Sequence, residues 1–171
     1  GLLKIEHIKA ILKMPEVSER FRIAHGREWN QNDVAIMYQS FEKHLFASLQ
    51  DFTTPIPGVV ETMEQLRREG IRIGSTTGYT DAMMKIVQPG AAAQGYTVDC
   101  LVTPDHLPAG RPAPYMIYRN MTELAIPSVD EVVKVGDTIA DIREGLNAKV
   151  CSVGVITGLS LIHISEPTRL Q

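Results

Sequence analysis

The stretch KVGDTIADIREG, residues 134–145, decides the fold. VVKVGD (132–137) reads as a short strand, and DIREGLNA (141–148) as the helix after it. A strand that runs into a helix through an Asp suits an open parallel sheet, where ligands bind beyond the carboxyl ends of the strands. The strand delivers Asp137 to that rim, and the helix turns Asp141 back over it. Mg²⁺ favours one or two carboxylates, with waters and phosphate oxygens completing its shell, so the pair is a candidate metal site. The same residues suit a simpler role: Asp137 as a helix cap, and Asp141 as a charge matched to the helix's positive first turn.

Upstream, strands and helices alternate. VVETMEQLRREG (59–70) is an amphipathic helix closed by Gly70, IRIGSTT (71–77) a strand, and DAMMKIV (81–87) a helix. VDCLVT (98–103) is the next strand, YMIYRNMTELA (115–125) the next helix, and CSVGVIT (151–157) the last strand. This order predicts right-handed crossovers and a Rossmann-like parallel α/β sheet. Thr77, Asp105 and Asp137 all fall at or soon after strand ends. Residues 1–52 differ: three helical patterns precede the connector DFTTPIPG. Pro15 breaks the first from the second, and Asn32 or Asp33 is a cap candidate for the third. The expected domains are therefore a helical cap at 1–52 and a Rossmann-like core at 53–158.

Composition excludes several classes. The 171 residues are 44% hydrophobic and 22% charged, with a net charge of −3. That balance predicts no nucleic-acid partner. No apolar run approaches the ~20 residues that cross a bilayer. The N-terminus has neither a signal-peptide layout nor an initiating Met, which suits a cytoplasmic chain read from within a longer protein. Cys100 and Cys151 read as two buried cytosolic thiols.

Several other residues could do chemistry. In STTGYT, Thr77 and the Gly78 backbone could cradle an anion, while Thr80 caps the next helix; an ordinary strand-to-helix turn uses the same residues. Arg111, ahead of Pro112, could hold two phosphoryl oxygens, although a lone loop Arg is by default a solvated one. On a helical wheel with Lys4 at the origin, Ile8 and Ile11 lie within ~40°. Lys4 thus points with the apolar face, and His7 lies on its flank. Desolvation lowers a lysine's pKa, and a neutral amine can attack an aldehyde to form an imine. The commoner roles are a lysine snorkelling past its neighbours and a half-buried packing histidine.

Together, a Thr at a strand end, a basic residue before Pro-x-Pro and Gly-Asp-x-x-x-Asp resemble the downstream half of the haloacid dehalogenase superfamily. GLLKIEHIKA, GSTTGYT, LVTPDHLPAGRPAPYM and KVGDTIADIREGLNA are similar to the phosphonoacetaldehyde hydrolase (phosphonatase) family over roughly residues 1–158. Lys4, and Arg111 where most superfamily members carry lysine, make the resemblance specific.

The resemblance implies hydrolysis of the carbon–phosphorus bond of a small phosphonate, phosphonoacetaldehyde, to acetaldehyde and phosphate. Lys4 would form the Schiff base and His7 move protons. Thr77, Gly78 and Arg111 would hold the phosphonate, with Tyr79 lining the pocket. Asp137 would ligate Mg²⁺ and Asp141 support the metal shell. The family pairs through its cap, which implies a homodimer of the full-length protein. Its nucleophile lies in an Asp-x-Ala-Gly-Thr motif after a first, central strand, and the sequence contains no such motif. The 171-residue chain is accordingly expected to be inactive and marginally folded, with the strands that end near Thr77 and Asp137 facing each other across a gap.

Two departures from the family follow. Lys149 stands where the family usually has Gly, with a strain cost if the site is left-handed. Leu159–Arg169 resembles the translation of a sequencing adapter, so 159–171 reads as a non-native tail in which His163 and Glu166 carry no chemistry. The alternatives are a phosphomonoester phosphatase of the same superfamily, with Lys4 a packing residue, and a non-catalytic Mg²⁺- or phosphate-binding remnant.

Overall fold

The computed structural model describes residues 4–156, so the strand-like LSLIHIS and the rest of 159–171 lie outside the described residues. The chain divides into two units. Among the described residues, one comprises 4–65 together with 79–97, and the other comprises 66–78 together with 98–156. Residues 53–65 and 79–97 thus group with the helical part, whereas the sequence reading drew its line between 52 and 53. No helix among the described residues is long and apolar enough to cross a membrane.

The helical unit begins with α1 (Lys4–Leu12), α2 (Pro15–His25) and α3 (Gln31–Ser48). Pro15 opens α2, where its missing N–H is not needed, and Gly26 closes it at φ 66°. The cap of α3 is Asn30 rather than Asn32 or Asp33. Its side chain accepts from the Asn32 and Asp33 N–H groups, and Asp33 returns a bond from the Asn30 N–H, a reciprocal capping box. Arg27 clamps the same carboxylate with two bonds of 2.7 Å. The core of this unit is Leu12, Phe21 and Val34, with Ile5, Ile8, Val17 and Trp29 packed around it. Ile11 is exposed. The inward face of α1 therefore centres on Ile5, Ile8 and Leu12, and Lys4 stands at its edge, half-buried.

A short 3₁₀ turn (Leu49–Phe52) leads toward α4 (Val59–Arg68). Gly70, at φ 81°, follows α4 as expected. Helix α5 (Asp81–Ala92) runs beyond the expected end at 87, with Pro89 inside it. Its cap is Thr80, as the sequence indicated, accepting from the Met83 N–H.

The mixed unit holds β1 (Gly74–Thr76), β2 (Cys100–Val102), α6 (Tyr115–Glu123), β3 (Val133–Gly136), α7 (Ile139–Ala148) and β4 (Cys151–Gly154). The strands form two parallel pairs, β1 with β2 and β3 with β4, rather than one continuous sheet. Helix α6 packs on the first pair and α7 on the second. The two helices meet through Ile117, Ala148 and Val150, backed by Met121, Val129 and Val132. On β3 and β4 the odd positions face away from α7. Val133, Val135 and Val153 are consequently exposed. Cys151 shares that face and is exposed too, and Cys100 is only half-buried, so neither thiol is the buried core residue expected.

Helix α7 ends at Lys149 in the left-handed conformation, φ 62° and ψ 27°, the strained geometry anticipated for a non-glycine there. Lys149→Gly should raise the stability of the mixed unit by about 1 kcal/mol, measured by urea unfolding. Equal or lower stability would show that the site carries no strain.

The Arg27 clamp depresses the folded Asp33 carboxyl from 3.8 to about 2. Its contribution to stability is therefore complete above the unfolded value and lost as pH falls through the folded one. Acid unfolding followed by Trp29, the single tryptophan, should move to higher pH in Arg27→Met. An unmoved midpoint would refute the role.

Candidate active site

Each unit brings some of the expected residues together. In the helical unit, the Lys4 ammonium lies over the Tyr79 ring, 5.6 Å from its centroid. Such a contact fixes where the side chain lies. Tyr79 is fixed in turn because Thr80, the next residue, caps α5. His7, half-buried one turn along α1 from Lys4, has its pKa pushed below 6.5. Burial is the larger cause and the Lys4 charge the next. At neutral pH His7 is thus a neutral imidazole, able to take a proton.

In the mixed unit, Thr77 follows β1, and its N–H donates to the Val102 carbonyl at 3.2 Å, extending the ladder by one residue. Thr77 and Gly78 are half-buried at that strand end. Asp137 lies at the matching end of β3, also half-buried. The cap of α7 is Thr138, so Asp137 does not cap that helix. Asp141 instead completes a capping box: its Oδ2 accepts from both the N–H and the hydroxyl of Thr138. Its Oδ1 pairs with Arg111 and lies 3.3 Å from Lys134 Nζ. Burial raises the Asp141 pKa, but the Thr138 hydroxyl, Arg111 and Lys134 together outweigh it and hold the carboxyl below its ordinary value.

Arg111 is almost fully buried, its side chain 8% exposed. One Nη pairs with Asp141 and the other donates to the Thr76 carbonyl at 3.3 Å. Its loop is tied to α7, since Asn147 donates to the Pro112 carbonyl at 2.8 Å. A solvated loop arginine would show none of this.

Two residues of this cluster were missed in the sequence reading. Lys134 Nζ donates to the Thr76 hydroxyl at 2.7 Å and lies 2.9 Å from Glu144 Oε2. Glu144 is wholly buried and also accepts from the Thr76 hydroxyl at 3.2 Å. The pattern did hold a signal. Lys134 alternates with Val133 and Val135, so it had to face α7, and Glu144 follows Asp141 by one helical turn. Glycine makes the approach possible. A Cβ on Gly136 would meet Asp141 Cβ at 2.3 Å, and one on Gly145 would meet Ser152 Oγ at 2.1 Å and Lys134 Cβ at 3.0 Å.

The comparisons place this geometry in a family. The family model described as haloacid dehalogenase-like hydrolase matches residues 5–149. The chain belongs to the haloacid dehalogenase-like hydrolases. It is 72% identical, over 166 residues, to a phosphonoacetaldehyde hydrolase of Parabacteroides distasonis, covering 97% of this chain and 63% of that one. It is 58% identical, with the same coverage, to a phosphonoacetaldehyde hydrolase of Bacteroides fragilis. The chain thus spans less than two thirds of the length of these relatives. Among solved structures, a phosphonoacetaldehyde hydrolase-like protein from Oleispira antarctica superposes with a TM-score of 0.85 at 32% identity, covering 91% of this chain and 56% of that one.

Asp141→Asn keeps the helix cap but removes the charge shared by Arg111 and Lys134. It should cost about 3 kcal/mol near neutral pH, as breaking a buried ion pair does. The folded pKa is depressed, so the difference from wild type should shrink as pH falls from about 4 through the folded value. A pH-independent difference in thermal unfolding would show that the charge is not the cause.

Proposed function

We propose that the chain is the larger part of a phosphonoacetaldehyde hydrolase, which breaks the carbon–phosphorus bond of phosphonoacetaldehyde to give acetaldehyde and phosphate. The observation that carries this reading is the half-buried amine of Lys4 held over Tyr79, the residue that directly follows Thr77 and Gly78. A phosphate ester needs no amine to leave, but a carbon leaving group does. Lys4 adds to the aldehyde carbon and water departs, giving an imine. When the carbon–phosphorus bond breaks, its electron pair moves into the imine and the carbon leaves as an enamine. Protonation at carbon and hydrolysis then release acetaldehyde and restore the amine.

His7, neutral at working pH, moves the proton at the imine nitrogen. Arg111 and the Thr77–Gly78 turn hold the phosphonate, with Tyr79 along the pocket. The phosphorus passes to a carboxylate of the family's Asp-x-Ala-Gly-Thr motif, which is not in the present sequence, and water then frees phosphate.

The acidic residues fit a Mg²⁺ site of the one- or two-carboxylate kind. Among the described residues there is no cluster of three or more metal-ligating side chains. The Asp141 oxygens are committed to Arg111, Lys134 and Thr138. Asp137 would therefore hold the ion directly, with Asp141 steadying the β3–α7 turn behind it. An ion held there would neutralise charge on the phosphonyl oxygens. On this reading the protein is a cytoplasmic enzyme, homodimeric at full length, with a helical cap at about 1–52 and a core at about 53–158.

Borohydride trapping tests the proposal. It should be run on the 171-residue chain and on a chain completed to the full length of its relatives. Phosphonoacetaldehyde and borohydride should leave a two-carbon or phosphonoethyl adduct on Lys4, absent in Lys4→Arg, and the completed chain should release phosphate. Phosphate release from a phosphomonoester with no adduct would replace this reading with a phosphatase. Neither adduct nor release would point to a non-catalytic binding domain.

A further inference from the structure

Arg111 Nε and Glu144 Oε1 are both buried and both without a hydrogen-bond partner. They belong to facing side chains: Arg111 Nε lies 3.9 Å from the other Glu144 oxygen, Oε2. That is less than about 1 Å beyond a hydrogen bond. Buried polar atoms are rarely left unpaired, and complementary orphans on two neighbouring side chains call for an explanation. The rest of the cluster supplies one. Arg111 presents only one Nη to Asp141, and its other bond, to the Thr76 carbonyl, is long at 3.3 Å. The planar fork is thus held through its two Nη groups, and its Nε edge has no partner.

We propose that Glu144 is a positioning residue for Arg111: when an oxyanion takes the place of Asp141 on the Nη groups, the guanidinium turns and its Nε–H closes on Glu144. Lys134 makes the exchange possible, because it already contacts both carboxylates, at 3.3 and 2.9 Å, and keeps Asp141 paired after Arg111 lets go. Glu144 itself does not swing. It is wholly buried on α7, and Gly145 lets that helix lie close over β3. The two contacts to Lys134 and Thr76 fix Glu144 Oε2, so it is the arginine that moves. This inference rests on the reading that Arg111 grips the phosphonate, and it adds the residue that holds the arginine while it does so.

The test is NMR of the ¹⁵N-labelled 171-residue chain titrated with inorganic phosphate, the Arg111 Nε–H signal being assigned by its loss in Arg111→Lys. Phosphate binding itself is followed separately, by the Thr77 and Gly78 amides. In wild type, phosphate should shift the Arg111 Nε–H downfield and slow its exchange with water by about tenfold, the factor expected for one ordinary hydrogen bond. In Glu144→Gln, phosphate should bind about tenfold more weakly and leave the Nε–H signal unmoved. A merely electrostatic role predicts the opposite sign, since removing a negative charge should strengthen anion binding. If phosphate binds wild type with no change at Nε–H, or if Glu144→Gln leaves both signals as in wild type, the inference is overturned and the phosphonate grip stands. If the Thr77 and Gly78 amides do not respond to phosphate at all, the grip itself fails and the inference falls with it. Should Glu144→Gln fail to fold, the wild-type titration alone decides.

Discussion

The mixed unit depends on a buried set of opposed charges, Arg111 and Lys134 against Asp141 and Glu144, with Thr76 threaded between them. Taking each ion out of water costs several kcal/mol, so the set persists only because the charges balance and most of the hydrogen-bonding atoms are used. Its placement explains why. The β1–β2 and β3–β4 pairs share no ladder. Thr76 is the last residue of β1 and Lys134 lies within β3, so the Lys134–Thr76–Glu144 contacts do with side chains what a strand would do with backbone. The Thr76 carbonyl, which points away from β2, accepts from Arg111 instead of a neighbouring strand. Charge pairing and the shared α6–α7 core both couple the strand pairs.

A cluster of this kind constrains function as well as stability. Asp141 satisfies a helix cap with one oxygen and two cations with the other, which leaves it little capacity to bind a metal ion directly. Asp137 has the opposite character: it stands at the strand end without capping α7. Two acidic residues four apart have thus been sorted by their surroundings, one into a scaffold and one into a potential ligand. The helical unit sorts its residues similarly. Leu12 and Phe21 carry the core, while Lys4 and His7 sit half-buried at its margin.

Local rules made much of this legible. Alternating strands and helices, the Thr80 cap, the Pro15 break, Gly70 and the strained Lys149 all follow from backbone preferences that act within a few residues. The misses share a different cause. Asn30 rather than Asn32 or Asp33 starts α3 because the capping box and the Arg27 clamp both require the acid at the third position, a three-body arrangement. Pro89 within α5 defeats the breaker rule. Ile11 is exposed because packing centres the inward face of α1 on Leu12 rather than on Lys4. Lys134 and Glu144 went unnoticed because single charged residues in a strand and a helix ordinarily face water. Only the tertiary approach of α7 to β3, permitted by Gly136 and Gly145, turns them inward.

The choice of arginine at position 111 follows from the same crowding. A lysine there would be a point charge, and Asp141 would neutralise it. Lys134 already plays that part, bound on three sides. A guanidinium differs because its donors lie along more than one edge of a rigid plane. One edge can meet a protein carboxylate while another meets an incoming oxyanion, and the charge is retained at any working pH. A cluster that braces two strand pairs through both a carboxylate and a backbone carbonyl has need of such a group. The two Nη groups of Arg111 reach a carboxylate of α7 and the carbonyl at the end of β1 at once, which ties helix to strand at this rim.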